Sequence, residues 1–264
     1  MSESVVERRI IQRRGNSHGQ AEDMLVVEEP MEIRLGDTAI AVVMRTPDDD
    51  EDLIRGFALT EGIALAPEEI SAVEDLGEGR YRLIIREGTT VDPEQFRRNL
   101  YATSSCGVCG KASIDAVRIS ARSATPGPII SPAVVLSLPD AIAAEQTCFD
   151  LTGGIHAAAA FTVSGELVAA REDIGRHNAV DKVIGAIGDN GWPVTHPILF
   201  VSGRVSFEIV QKAAVAGFVI VAGVSAVSSL GADLAEELGL TAIGFVRGDG
   251  FNVYTHPERI GMTP

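Results

Sequence analysis

The chain has 264 residues, 45% of them apolar, and a net charge of −15. That length and apolar content support a sizeable core, in one large domain or two small ones. A surface so acidic repels phosphate backbones and disfavours general nucleic-acid binding. No apolar run reaches the roughly 18 residues of a membrane span, and Met1 to Gln20 lacks the hydrophobic centre of a signal peptide. Three cysteines, two of them in one C-x-x-C, make no disulfide framework and point to a reducing cytoplasm.

Residues 1–22 are charged and poor in large apolar side chains, and read as a mobile leader. From Met31 the pattern changes: Ile33 and Leu35, a Gly36-Asp37 turn, then Ile40, Val42 and Met44 predict two strands. Asp48 to Asp52 is acidic, as suits the start of a helix, with Leu53, Ile54, Phe57, Ala58 and Ile63 as its apolar face. The acids resemble a metal cluster, but a charged helix N-terminus is the ordinary reading. Tyr81 to Ile85 predicts a strand. Asp92 to Leu100 predicts a helix capped by Asp92, with Pro93 at its first position. Ser123 to Pro132 reads as a connector, and Pro139 to Phe149 as a helix carrying Cys148 as a small buried hydrophobe.

Ala158 to Val163 and Glu166 to Ala170 predict a hairpin. Beyond it the chain alternates. Helices are expected over His177–Ile187, Ser206–Ala216 and Ser228–Leu238, with strands over Ile198–Val201, Phe218–Ala222 and Thr241–Val246. Strands that are apolar throughout, separated by helices, argue a parallel sheet covered on both faces, with ligands at the carboxyl ends of its strands. The expected division is a leader over 1–22, a strand-rich N-terminal α+β part over 23–103 and an α/β core over 104–264.

Chemistry concentrates in two places. Ser104-Ser105-Cys106-Gly107-Val108-Cys109-Gly110-Lys111 sets two thiols among small residues, beside a lysine and ahead of a helix-like run. A helix N-terminus and a cation both stabilise a thiolate. The pair alone fits thiol chemistry, half of a zinc site or chance. Second, polar and glycine residues gather at strand ends: Thr152 to His156, Arg171 to Asn178, Ser202-Gly203-Arg204, Ser225 to Ser229 and Arg247 to Gly250. A strand, a Ser-Gly-Arg turn and a helix make a credible anion site, and Arg176, Arg204 and Arg247, with His177 beside the first, could offset a ligand's charge. His156 and His177 each read equally as hydrogen-bonded structural histidines. Either one, with Cys106 and Cys109, would complete the three ligands of a hydrolytic zinc site. A zinc deaminase, however, places His-x-Glu upstream of its C-x-x-C. Here both histidines lie downstream, and Ala157-Ala158 follows His156.

The cysteine stretch, Thr152-Gly-Gly-Ile-His156-Ala-Ala, Glu172 through Lys182, Ser202 through Lys212 and Gly244-Phe-Val-Arg-Gly-Asp249 together resemble the formate dehydrogenase accessory sulfurtransferase family, FdhD. The resemblance runs from about Met31 to the C-terminus. It implies a three-layer α/β/α fold like that of cytidine deaminases, usually paired into a homodimer. It also implies a sulfurtransferase that takes sulfur from a cysteine desulfurase as a persulfide on Cys106. The acceptor would be the molybdenum (or tungsten) bis(molybdopterin guanine dinucleotide) cofactor, before it enters formate dehydrogenase. Cys109 would assist release, Phe245-Val246-Arg247-Gly248-Asp249-Gly250 matches the family's cofactor-binding stretch, and no resident metal is implied. A zinc hydrolase or deaminase is the alternative. A non-catalytic cofactor chaperone, which would tolerate loss of both thiols, is the third reading.

Overall fold

The structure, a computed structural model, describes residues 4–89, 91, 127–195 and 197–262. Cys106, Cys109, the helix expected over Asp92–Leu100 and the boundary expected at 103/104 lie outside the described residues. The first element differs from the expected leader. Val5–Arg14 (β1) and Ser17–Val26 (β2) pair antiparallel along their whole length, turning at Gly15 with φ 60°. Most of this ribbon is exposed, so no buried stripe announces it in the sequence.

Glu29–Leu35 (β3) and Thr38–Arg45 (β4) form the expected hairpin around Gly36. With Ile70–Gly77 (β5) and Arg80–Ile85 (β6) they make a sheet of order β4-β3-β6-β5. Met31, Ile33 and Leu35 alternate onto its buried face. Helix α1, Asp50–Thr60, opens on the acidic run. Its acids are engaged by fixed partners: Asp50 accepts from Arg45 and Tyr81, and Asp52 from Arg171. Burial, then Asp50, pushes the Tyr81 phenol up to about 12.

Helices α2 (Pro132–Ala143) and α3 (Thr147–Thr152) replace the single helix expected over Pro139–Phe149. Ser131 caps α2 and Pro132 takes its first turn, so Pro139 falls inside it. Cys148 sits in α3, buried, its thiol pushed up chiefly by desolvation. Strands β7 (His156–Phe161), β8 (Leu167–Asp173), β9 (Ile198–Val201), β10 (Ile220–Gly223), β11 (Thr241–Arg247) and β12 (Gly250–Val253) form the second sheet, ordered β12-β11-β10-β9-β7-β8. It is mixed. Only β9, β10 and β11 show the expected parallel pairing; β7 runs antiparallel to β8 and β9, and β12 to β11. Helices α4 (Arg176–Gly188), α5 (Phe207–Ala216) and α6 (Ser229–Leu238) follow among the described residues.

Alternation along the strands divides the core in two. Ala158, Ala160, Leu199, Val201, Val221 and Ala242 pack with α1, α4, α5 and α6. Ala157, Ala159, Phe161, Ile198, Phe200 and Ile243 pack with Val135, Leu138 and Ile142 of α2. The first core also holds Met31, Ile33 and Leu83, so both sheets share it. Contact between α1 and α4 is close enough to require glycine: a Cβ on Gly56 would fall 1.8 Å from the Asp181 carbonyl oxygen, and one on Gly185 1.9 Å from that of Asp52. No helix among the described residues is long and apolar enough to cross a membrane.

Candidate functional site

The order of strands reverses between β9 and β7, and the carboxyl ends of β8, β9, β10 and β11 share one edge of the sheet. Because β7 is antiparallel to β9, its first residue, His156, reaches that same edge. The expected gathering of polar turns is therefore real in space, including the turn that precedes a strand. Ser202 ties the two strands: its N–H donates to the Ala157 carbonyl at 2.9 Å, and its hydroxyl accepts from the Ala157 N–H at 2.9 Å. Gly203 lets the walls close. A Cβ there would stand 3.5 Å from His156 Nδ1 and 3.7 Å from Arg176 Cβ and Cδ. The Val205 N–H donates to the Ala226 carbonyl at 3.1 Å and links this turn to the one after β10.

The Arg171–Asn178 turn is held from below. Asp173 is fully buried and accepts from the Thr46 and Gly175 N–H groups and from Asn178 Nδ2, with Lys182 Nζ 2.9 Å away. This fixes the first turn of α4 and presents Arg176 and His177 at its N-terminus. The Arg176 cation there opposes the helix dipole, so an anion bound at the same end would relieve it. Arg176 Nε and His177 Nε2 are buried atoms without a hydrogen-bond partner among the described residues, which is unusual for buried polar nitrogen.

His156 registers this surplus of charge. Desolvation, then Arg176, His177 and Arg204, push its pKa below the usual histidine range, and Asp173 opposes them. A carboxylate facing the cluster is Glu208, on the first turn of α5, 3.8 Å from His177 Nε2 and 2.8 Å from the Ser206 hydroxyl. His177 and, to a lesser degree, Ser206 hold Glu208 down at about 2 against the opposing effect of burial. Neither Glu208 nor Asp173 stands out in the sequence as a site residue. The visible signal for Glu208 was its place in the first turn of a helix expected to be capped by Ser206; Ser206 takes the cap position but makes no side-chain cap, its hydroxyl meeting Glu208 instead.

The structure thus brings His156, Arg176, His177 and Arg204 together. Arg247 stands at the end of β11, two strands from β9 and so about 10 Å along the edge. Its guanidinium lies over the Phe245 ring, 5.3 Å from the centroid. Phe245 (φ 56°) and Gly248 (φ 59°) both bend the chain here, and the β11–β12 register shifts between Gly244 and Arg247. Arg247, Gly248, Asp249 and Gly250 are exposed; Val246 is buried in the α2-side core, so only its backbone can meet a ligand. An aromatic ring, an arginine and a glycine turn suit a nucleobase beside its phosphates.

A profile of the FdhD/NarQ family matches residues 26–261. The chain is 45% identical to the sulfur carrier protein FdhD of Streptomyces coelicolor, over 98% of this chain and 96% of that protein. It is 42% identical to the sulfur carrier protein FdhD of Sulfolobus acidocaldarius, over 92% and 93%. Its fold superposes on a crystal structure assigned as a formate dehydrogenase accessory protein from Desulfotalea psychrophila, with a TM-score of 0.78 over 97% of this chain and 99% of that one. At 24% identity that likeness speaks for the fold alone. With the profile spanning nearly the whole chain and such relatives matching end to end, this chain belongs to the FdhD/NarQ family.

Proposed function

We propose that this chain is a sulfur carrier that loads Cys106 from a cysteine desulfurase and delivers the sulfur to a molybdenum bis(molybdopterin guanine dinucleotide) held at the cationic edge. The Cys106 thiolate attacks the terminal sulfur of the donor's persulfide. The donor's S–S bond breaks, the donor cysteine leaves as thiolate, and Cys106 keeps the sulfane sulfur. The Cys109 thiolate then attacks the Cys106 sulfur, a Cys106–Cys109 disulfide forms, and the outer sulfur leaves as hydrosulfide for the cofactor, which then enters formate dehydrogenase. Supporting this are the relatives named sulfur carrier proteins and one structural observation above all. In a chain of net charge −15, Arg176, His177 and Arg204 converge on one sheet edge, with Glu208 facing His177 and Asp173 buried beneath. An anionic ligand such as a dinucleotide's phosphates would complete that edge.

The three-layer, deaminase-like reading of the fold is supported by helices on both faces of the six-stranded sheet and by the strand-order reversal beside β9. A zinc hydrolase fits less well. A metal at His156 would sit beside the fixed positive charges of Arg176 and Arg204.

Incubation with a cysteine desulfurase and cysteine, followed by peptide mass spectrometry, tests the carrier reading. The expected result is one added sulfur on the Cys106 peptide, lost in Cys106→Ser. Sulfur appearing only at Cys148, or nowhere, would overturn it.

A further inference from the structure

The six-stranded sheet has a second edge that the sulfur reading does not use. The parallel strands β9, β10 and β11 begin there, on the side away from the cation cluster. The single turn Pro257–Ile260 lies against this edge and carries Arg259 into it. Arg259 is 8% exposed. Its Nη1 donates to the hydroxyl of Thr241, the first residue of β11, at 2.8 Å, and to the Val219 carbonyl just ahead of β10 at 3.4 Å. The Thr241 hydroxyl is fixed as an acceptor because its own proton goes to the His256 carbonyl at 3.1 Å.

What this arginine lacks is a counter-charge. A guanidinium stays protonated when buried, and a buried charge is costly unless it is paired. Arg45, the other buried arginine among the described residues, meets Glu29 and Asp50 at 2.9 Å each. Arg259 has no ion pair among the described residues. Desolvation holds its pKa below the usual arginine range, and the carboxylate opposing that effect, Glu258, meets His256 Nδ1 at 3.3 Å. Arg259 Nε and Nη2 make no hydrogen bond among the described residues, and neither is sealed from solvent. Those two nitrogens form the side of a guanidinium that grips two oxygens in parallel. Gly127 leaves room in front of them: a Cβ there would stand 3.3 Å from Arg259 Nε and 3.0 Å from Val219 Cγ2. The surrounding backbone exposes apolar side chains. The Ile130 N–H donates to the Arg259 carbonyl at 2.9 Å, with Ile129 beside it 74% exposed, and Met262, 43% exposed, follows the turn.

We infer that the Arg259 fork is a binding site for a carboxylate on an apolar stem, the C-terminus of an extended peptide from a partner protein. A free polyvalent anion would meet a chain of net charge −15. A single carboxylate is repelled less, and an apolar side chain next to it covers Ile129 and adds hydrophobic contact. Strands of four residues, roughly 13 Å long, separate this edge from the cation cluster. A partner held by its tail here therefore leaves the opposite edge open for a ligand to enter or leave. The site is independent of Cys106 and of any cofactor.

The Nε–H resonance of Arg259 in the isotope-labelled full chain, identified by its loss in Arg259→Lys, tests this. Titration with N-acetyl-isoleucine should move it downfield and saturate, while N-acetyl-isoleucinamide and sulfate leave it in place. A short peptide ending in isoleucine should bind more tightly than N-acetyl-isoleucine, because its main chain adds contacts. Ile129→Asp changes an exposed position, so the melting temperature should hold, yet the new charge beside the carboxylate should weaken binding at least about tenfold. No response to either carboxylate, an equal response to the amide or to sulfate, or unchanged affinity in Ile129→Asp would each overturn the proposal. A peptide that binds no more tightly than N-acetyl-isoleucine would reduce the ligand to a free small carboxylate and overturn its assignment to a partner's tail.

Discussion

Helix α4 holds two kinds of polar residue within one turn or two of each other, and the contrast separates scaffold from site. In its interior, Asp181 and Lys182 are buried and fully engaged. Asp181 meets Lys212 at 2.8 Å and accepts from Thr60 at 2.8 Å, while Lys212 also meets Glu61 at 3.0 Å. Lys182 meets Asp173 and the Thr46 carbonyl. Burial works against the charge on Lys212, yet Asp181 and Glu61 outweigh it and hold its pKa above the usual lysine range. At the first turn of the helix, Arg176 keeps a buried Nε without a hydrogen-bond partner among the described residues, and His177 Nε2 has Glu208 at 3.8 Å, too far for a full hydrogen bond. A charge that the fold satisfies is serving the fold. A charge left unsatisfied at a sheet edge is available to something that arrives later.

The strongest way to break this contrast is to remove a partner from the interior. Asp181→Ala leaves Lys212 buried with the Thr60 hydroxyl and a single carboxylate, Glu61, half-withdrawn at the rim. Losing one partner of a buried pair costs about 3–5 kcal/mol. Chemical denaturation should show a loss on that scale, with guanine-nucleotide affinity unchanged in whatever fraction stays folded. A loss under about 1 kcal/mol would mean that the network is slack and the contrast false.

The opposite result is expected at the edge. Arg204 is exposed and has no ion pair or side-chain hydrogen bond among the described residues, so Arg204→Ala should leave the melting temperature within the range of ordinary surface changes. Affinity for a guanine nucleotide should fall about tenfold, or about 1.4 kcal/mol, and the wild-type affinity should itself weaken with salt. Calorimetry on the same two proteins reads both quantities. Unchanged affinity would remove Arg204 from the site and leave the cation cluster without a purpose.

How much of this was legible depended on whether a signal was local. The strands at Ile198 and Thr241 and the helices between them declared themselves, because buried strands are apolar throughout and their turns collect glycine, serine and arginine. The gathering of His156 with Arg176 and Arg204 followed from those turns once strands were placed in a sheet. The β1–β2 ribbon did not declare itself, because a strand with no buried face has no alternation to read. Pro139 misled: a proline at a helix start and one tolerated inside a helix look alike, and the Ser131-Pro132 pair was the true beginning. Asp173 and Thr46 lie 127 positions apart in the chain, so the support beneath the cationic turn had no local trace at all.

The finest probe of the contrast is Glu208, which belongs to both sides of it: a charge engaged by the fold, yet facing the edge cluster. Its pKa in the folded chain is about 2, against an ordinary value of 4.5, with His177 the largest cause. A depressed carboxylate adds stability that is complete above its unfolded pKa and is lost as pH falls through the folded one. Wild type should therefore exceed Glu208→Gln by about 1 kcal/mol above pH 5, the net worth of one hydrogen-bonded group, and the gap should close as pH falls from about 4.5 towards 2. Denaturation midpoints of the two proteins across that window give the answer. A gap that stays constant would mean His177 does not engage Glu208 in the folded chain, and would move Glu208 wholly to the unsatisfied edge.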